Sequence, residues 1–308
     1  MNKIVAICGP TAVGKTAYSI EIAKKFDGEI VSCDSMQLYK YMDIGSAKPS
    51  SDELNQVKHH LIGVVEPREM FSVAKYKELA NEAIDDIISR GKLPIIAGGT
   101  GLYLDALLYD LDFAAAPSDS SLRDELYKIA EEKGNLELHA ILQECDPSSA
   151  KRIHPNNVRR VVRAIESAKS GVQLKDFARD LSLNDKYEFI LIGLRRDREE
   201  LYDRINRRVD VLVEEGLFEE VKMLREMGLS ESDISMKGIG YKEVLAYFDG
   251  EYDLETAIDT IKKNTRHFAK RQITWLKRYD DMKWFDLSES KEDKDSIREI
   301  ITWLEKGL

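Results

Sequence analysis

An α/β fold is predicted for this 308-residue chain: a parallel sheet flanked by helices, with an all-helical insertion domain. Three features predict it. A phosphate-loop pattern lies between a strand-like and a helix-like stretch. Strands and helices alternate through the first hundred or so residues. After Phe113 the texture becomes helical, and strand character returns only at Tyr187.

The loop is Gly9-Pro10-Thr11-Ala12-Val13-Gly14-Lys15-Thr16, a full match to G-x-x-x-x-G-K-[ST]. Residues 3–8 before it read as a buried strand, and residues 17–25 after it as a helix. In that order the loop's backbone N–H groups point inward, and the helix N-terminus adds partial positive charge. Lys15 would reach phosphates, and the Thr16 hydroxyl would bind Mg2+. The sheet should therefore be P-loop NTPase-like, and the ligand a phosphate or pyrophosphate.

A second strand spans residues 29–33 and runs into Asp34-Ser35-Met36-Gln37. Residues 59–65 read as a third strand. Ser72 can cap a helix over 73–90, closed by Gly91. Within it Val73, Tyr76, Ala80, Ala83, Ile84, Ile87 and Ile88 recur at helical spacing. A fourth strand, 92–97, ends in Gly98-Gly99-Thr100-Gly101. Alternating strands and helices imply a parallel sheet covered on both faces. Ligands of such sheets bind off the strands' carboxyl ends. The phosphate loop, Asp34 and the 98–101 turn all fall there.

Residues 114–119 look like a linker, and 119–186 hold helical patterns only. A strand over 187–194 follows. The expected domains are thus a core of 1–112 with 187–308 and an insertion of 113–186. Asp197 begins an Asp-x-x-Glu cap with Glu200. A helix is expected over 254–278, then an edge strand at 282–286 and a final helix.

Composition bounds the function. No apolar run approaches the roughly 18–20 residues that span a bilayer, and the N-terminus opens into a strand, so a cytoplasmic protein is expected. Cys8, Cys33 and Cys145 are odd in number and far apart, which predicts neither a disulfide frame nor a zinc site. The adjacent His59 and His60 point to opposite faces of a strand and suit structure better than a metal. Net charge is −10, against a generic nucleic-acid binder. Yet 262–278 holds seven Lys or Arg and 151–163 holds five, neither with an acid. Those segments could meet a polyanion. On the first, Ala269, Ile273 and Leu276 form a stripe, with Lys263, Arg266, Lys270 and Lys277 away from it. On the second, Arg159 and Arg163 share a helix face.

Asp34, at a strand end opposite the loop, could hold Mg2+, serve as general base, or, like Ser35, merely cap a helix. The glycines of 98–101 would permit close backbone approach to a ligand.

Together these motifs resemble the bacterial type of the tRNA dimethylallyltransferase family. The likeness rests on residues 9–16, Asp34-Ser35-Met36-Gln37, Gly98-Gly99-Thr100-Gly101-Leu102-Tyr103, Ile153-His154-Pro155-Asn156, Arg163-Ala164-Ile165-Glu166, Gly238-Ile239-Gly240-Tyr241 and Ala269-Lys270-Arg271-Gln272-Ile273-Thr274-Trp275. The resemblance implies transfer of a dimethylallyl group from dimethylallyl diphosphate to N6 of the adenosine 3′ of the anticodon in tRNA. Residues 9–16 would then hold the diphosphate, with Mg2+ as cofactor. Asp34 resembles the general base, Thr100 the group bonding near the acceptor nitrogen, and Arg208 an arginine meeting the diphosphate from the far side. The stretches resembling tRNA contacts are Asp34 to Gln37 with Thr100, Arg123, Arg159-Arg160 with Arg163, and the basic Lys270-Arg271. The family's stretch opens with Gln-Arg, where this chain has Arg159. The target base would leave its stack, as enzymes acting on bases require. No protein partner is implied. A P-loop kinase of small metabolites or nucleosides, and an adenylate isopentenyltransferase acting on a free nucleotide, remain alternatives.

Overall fold

The computed structural model describes residues 2–109, 111, 120–171, 182–289 and 292–308. They belong to two compact units, Met1–Tyr109 with Leu183–Leu308, and Asp110–Ser182. The expected linker at 114–119 lies outside the described residues.

The first unit is built on six parallel strands: β1 (Asn2–Cys8), β2 (Gly28–Cys33), β3 (His59–His60), β4 (Leu93–Gly98), β5 (Tyr187–Arg195) and β6 (Lys283–Asp286). Their order is β3-β2-β4-β1-β5-β6. Residues 4–8 of the central β1 are all buried. Ile4, Ala6 and Cys8 join the core on one face, while Val5 and Ile7 join the core on the other. That is the period-2 alternation of a strand covered on both sides. The third strand is shorter than its hydrophobicity suggests. It stops at His60 because Leu61 and Gly63 both turn left-handed, at φ 60° and 61°. Val65 makes only an isolated bridge to Tyr39.

Helices α1 (Lys15–Lys25), α2 (Ser51–Gln56), α3 (Val73–Ser89) and α4 (Gly101–Leu108) follow the early strands. The Ser72 side chain caps α3 by accepting from the Lys75 N–H, and Gly91 turns left-handed just past its end. Tyr76, Ala80, Ile84 and Ile87 are its buried stripe.

The second unit carries α5 (Ser120–Lys133), α6 (Asn135–Cys145), α7 (Pro147–Arg152) and α8 (Val158–Lys169). Its own core comprises Leu126, Leu138, Leu142, Ala150, Val161, Val162, Ala164 and Ile165. Residues 183–186, expected in the insertion, group with the sheet unit instead. The Asn184 N–H donates to the Leu108 carbonyl, and Lys186 pairs with Asp85.

Back in the first unit come α9 (Arg198–Glu214), α10 (Leu217–Glu226), α11 (Tyr241–Phe248), α12 (Leu254–Leu276) and α13 (Asp293–Gly307). Asp197 caps α9 by accepting from Glu199 and Glu200 N–H groups. The reciprocal half of the expected box does not form: the Glu200 carboxylate turns to Arg196 and Ser288.

Candidate active site

The carboxyl ends of three strands lie level. Gly98 of β4 is in register with both Cys8 of β1 and Cys33 of β2. Each strand then delivers a loop to one edge: residues 9–14, 34–50 and 99–100. Burial pushes the Cys8 thiol up to about 12, so it stays neutral under the loop.

Residues 9–14 bend through Ala12 at φ 63° and Gly14 at φ 117°. For Ala12 that conformation costs about 1–2 kcal/mol, so something must hold it. The holding groups bond the loop's carbonyls. Arg204 donates from Nε to the Ala12 carbonyl at 3.0 Å, and Arg196 to that of Val13 at 3.1 Å. Lys15 Nζ donates to the Gly9 and Pro10 carbonyls at 3.1 and 2.9 Å. With its carbonyls engaged this way, the loop can present amides to an anion.

Lys15 is pushed down to about 8, chiefly by burial, with Asp34 opposing the shift and Arg208 adding to it. Burial also lowers Arg208, and Asp34 again opposes. Asp34 is thus close enough to interact with both cations. Arg208 extends Nη2 to the Ala47 carbonyl at 3.3 Å. It lines a cleft of about 330 Å³ with Ala12, Arg204 and the exposed Arg207.

Asp34 caps no helix but closes a turn: its Oδ1 accepts from the Met36 and Gln37 N–H groups at 2.8 and 3.4 Å. Among the described residues nothing bonds Oδ2. Thr100 Oγ1 accepts from the Ser35 N–H at 3.1 Å, which ties the 34–37 turn to the end of β4. The Thr100 O–H remains able to donate. Gln37 reaches from Nε2 to the Ala47 carbonyl and accepts from Ser32.

The glycines of the 98–101 turn lie close to the protein's own chain. A Cβ at Gly98 would lie 2.1 Å from the Cys33 carbonyl oxygen, one at Gly99 2.2 Å from Gln272, and one at Gly101 2.2 Å from Trp275. They admit the protein's own chain closely; no ligand is needed to explain them.

Sequence reasoning missed Arg196, Arg204, Gln272 and a buried carboxylate, Glu220. The last accepts from the N–H groups of Asp43, Ile44 and Gly45 at 2.7, 2.7 and 2.9 Å, and from the Tyr241 hydroxyl at 2.8 Å. It anchors the segment that ends on Ala47. A signal existed for Gln272, which sits at helical spacing within the apolar stripe of Ala269, Ile273 and Leu276.

The basic residues on α12 divide. Lys262 pairs with Asp210 and Arg278 with Asp105, whereas Lys263, Lys270 and Arg271 are exposed. In the helical unit, Arg159 and Arg160 are exposed on α8. Arg123, whose position resembles a tRNA contact, forks onto the buried Glu166 carboxylate at 3.0 and 3.1 Å. Arg163 stands 3.7 Å from the same group.

A parallel sheet, a phosphate loop on its carboxyl edge and a cation-lined cleft beside an acid define a class: P-loop proteins that bind a phosphorylated ligand. The family model described as IPP transferase matches residues 37–279. Among curated proteins, the tRNA dimethylallyltransferase of Clostridioides difficile is 49% identical over all of both chains. That of Alkaliphilus oremlandii is 50% identical over 93% of this chain and 92% of its own. Among solved structures, the tRNA isopentenylpyrophosphate transferase of Bacillus halodurans aligns with TM-score 0.75 and 44% identity, covering 99% and 96% of the two chains. A eukaryotic dimethylallyltransferase acting on tRNA aligns with TM-score 0.83 and 30% identity, covering 98% of this chain and 78% of its own. The chain belongs to the IPP transferase family. The phosphate loop precedes the matched residues 37–279, so its kinship rests on the full-length relatives. Among the described residues no helix is long and apolar enough to cross a membrane.

Proposed function

We propose that this protein transfers a dimethylallyl group from dimethylallyl diphosphate to N6 of the adenosine 3′ of the anticodon in tRNA. The observation that carries this reading is the juxtaposition at one sheet edge of a phosphate cradle, the Asp34 carboxylate and the Thr100 hydroxyl. N6 attacks the first carbon of the prenyl group. The carbon–oxygen bond breaks, and its electron pair leaves with the diphosphate. Charge builds on that leaving group, where Lys15, Arg208 and the amides of Gly14, Lys15 and Thr16, at the end of the loop of residues 9–16, stabilise it. The N6 proton passes to Asp34, whose Oδ2 has no hydrogen-bond partner among the described residues. Thr100 orients the acceptor.

A divalent metal fits the donor set. Among the described residues no group of three His, Cys, Asp or Glu could hold one alone. Mg2+ characteristically takes few protein oxygens together with substrate phosphates, and the half-buried Thr16 hydroxyl would supply one. The ion would supply charge neutralisation on the diphosphate.

For tRNA, the exposed Arg159 and Arg160 are the phosphate contacts of the helical unit, and Lys270 with Arg271 those of α12. Asp34, Ser35, Met36 and Gln37 face the target nucleotide. Arg123 and Arg163 act mainly through Glu166. Incubation with Mg2+, labelled dimethylallyl diphosphate and unmodified tRNA, with parallel mixtures holding AMP or ATP, tests the reading. Label should enter tRNA and disappear when the target adenosine is replaced. Label in AMP alone would select a free-nucleotide acceptor, and ATP turnover without prenyl transfer a kinase.

A further inference from the structure

Gln272 takes no part in the chemistry above, yet it touches both active loops. It is buried on the inner face of α12, 6% exposed. Its Oε1 accepts from the Thr11 N–H at 2.8 Å, and its Nε2 donates to the Gly99 carbonyl at 3.0 Å. Thr11 belongs to the phosphate loop. Gly99 precedes Thr100, whose Oγ1 accepts from Ser35, beside Asp34. A continuous path therefore runs from the cradle through one amide to the acceptor side of the site.

The two partners dictate the chemistry of the bridge. One is a fixed donor and the other a fixed acceptor, so the side chain must accept and donate at once. A primary amide does this without charge at any pH near neutrality. The fit is also steric. A Cβ at Gly99 would lie 2.2 Å from Gln272 Nε2 and would displace the amide from its seat. One helical turn on, Trp275 lies against Gly101, where a Cβ would again come within 2.2 Å. Two glycines thus flank Thr100, and each receives a side chain of α12.

We propose that Gln272 is a positioning residue of the transfer reaction, setting the separation between the phosphate loop and the Thr100 loop. The proposal rests on the prenyl-transfer reading above. A misplacement near 1 Å between reacting groups can cost about 10²-fold in rate, which gives the bridge its leverage.

The test uses the full chain with Q272L and Q272E. Q272L removes both bonds at similar volume. Its kcat should fall by about 10- to 100-fold, with tRNA affinity unchanged and inorganic diphosphate bound several-fold more weakly. Q272E keeps the acceptor but loses the donor when ionised. Protonation restores a donor toward Gly99, and burial raises the introduced carboxyl's pKa. Its kcat relative to wild type should therefore climb as pH is lowered from 8 to 6, a profile that the wild-type amide cannot have. A wild-type kcat in Q272L would overturn the proposal. So would a flat Q272E ratio, or a loss of melting temperature alone with kcat per folded molecule intact. Diphosphate titration separates this failure from that of the parent reading. If the wild type transfers no prenyl group, the reading falls, while weaker diphosphate binding by Q272L still supports the bridge and equal binding overturns it.

Discussion

Arginine does different work in the two compact units. In the sheet unit, Arg196, Arg204 and Arg208 donate to backbone carbonyls of Val13, Ala12 and Ala47. They shape loops and surround a cradle. In the helical unit, Arg159 and Arg160 stand in solvent, while Arg123 and Arg163 lean on one buried carboxylate, Glu166. What an arginine does is set by its partner, and the partner is often remote in sequence. The acid-free run at 262–278 makes the point: Lys262 and Arg278 find Asp210 and Asp105 elsewhere in the chain. A cluster of like charge along the sequence is therefore a poor guide to which cations remain for a ligand. The second lesson concerns precision. Around the cradle, geometry is held by backbone hydrogen bonds, which suits chemistry. On α8 the exposed guanidinium groups can adapt to a polyanion.

The largest effect should come from the sheet unit. Asp34→Asn keeps an Oδ1 acceptor for Met36 and Gln37, so the turn survives while the proposed base is lost. We expect kcat to fall about 10²- to 10⁴-fold with diphosphate affinity little changed. A large loss of diphosphate affinity instead would make Asp34 chiefly a metal ligand.

Next is the pH response of the cradle. With Lys15 near pH 8 in the free protein, diphosphate binding should weaken about tenfold for each pH unit above that value, because the bound anion needs the charged amine. Stability should move the other way. The folded-state pKa lies below the usual 10.5, so the unfolded chain binds the extra proton between about 8 and 10.5. The free protein therefore gains stability as pH rises through that window. Calorimetry and urea melts across pH 7.5–9.5 read both signs; an affinity flat with pH would remove Lys15 from the diphosphate.

The comparison is sharpened on the helical unit. Replacing Arg159 and Arg160 by Ala should lower the salt slope of tRNA binding by roughly 0.7–0.9 log units per lost phosphate contact. Arg163→Ala should do less, since Glu166 already shares that side chain. A slope unchanged in the double variant would take α8 out of the interface.

The smallest effect expected is Tyr241→Phe. It removes one of four hydrogen bonds to Glu220 and leaves three backbone amides in place. A loss of about 1 kcal/mol in urea unfolding, with kcat retained, is the expected result. A fall in kcat at unchanged stability would mean that the hydroxyl serves the site directly.

Much was legible without coordinates. The phosphate loop between β1 and α1, the parallel sheet, the return to strand at Tyr187 and the placement of Asp34 and Thr100 at one edge follow from local periodicity and motif chemistry. Such features depend on residues a few positions apart, so the sequence by itself determined them. It also determined the family, through motifs along nearly the whole chain. The tertiary structure alone decided which side chains face which carbonyls. Gln272 meets Thr11 across 261 positions, and Arg204 meets Ala12 across 192. Periodicity can mark Gln272 as facing inward, but it cannot say that a phosphate loop and a glycine turn lie on either side. The short β3 was lost to view for a related reason: Leu61 is held left-handed, a conformation that its hydrophobicity does not announce. Local pattern reports the environment a residue prefers. Long-range hydrogen bonds depend on where the fold brings distant atoms, and only the closed chain determines that.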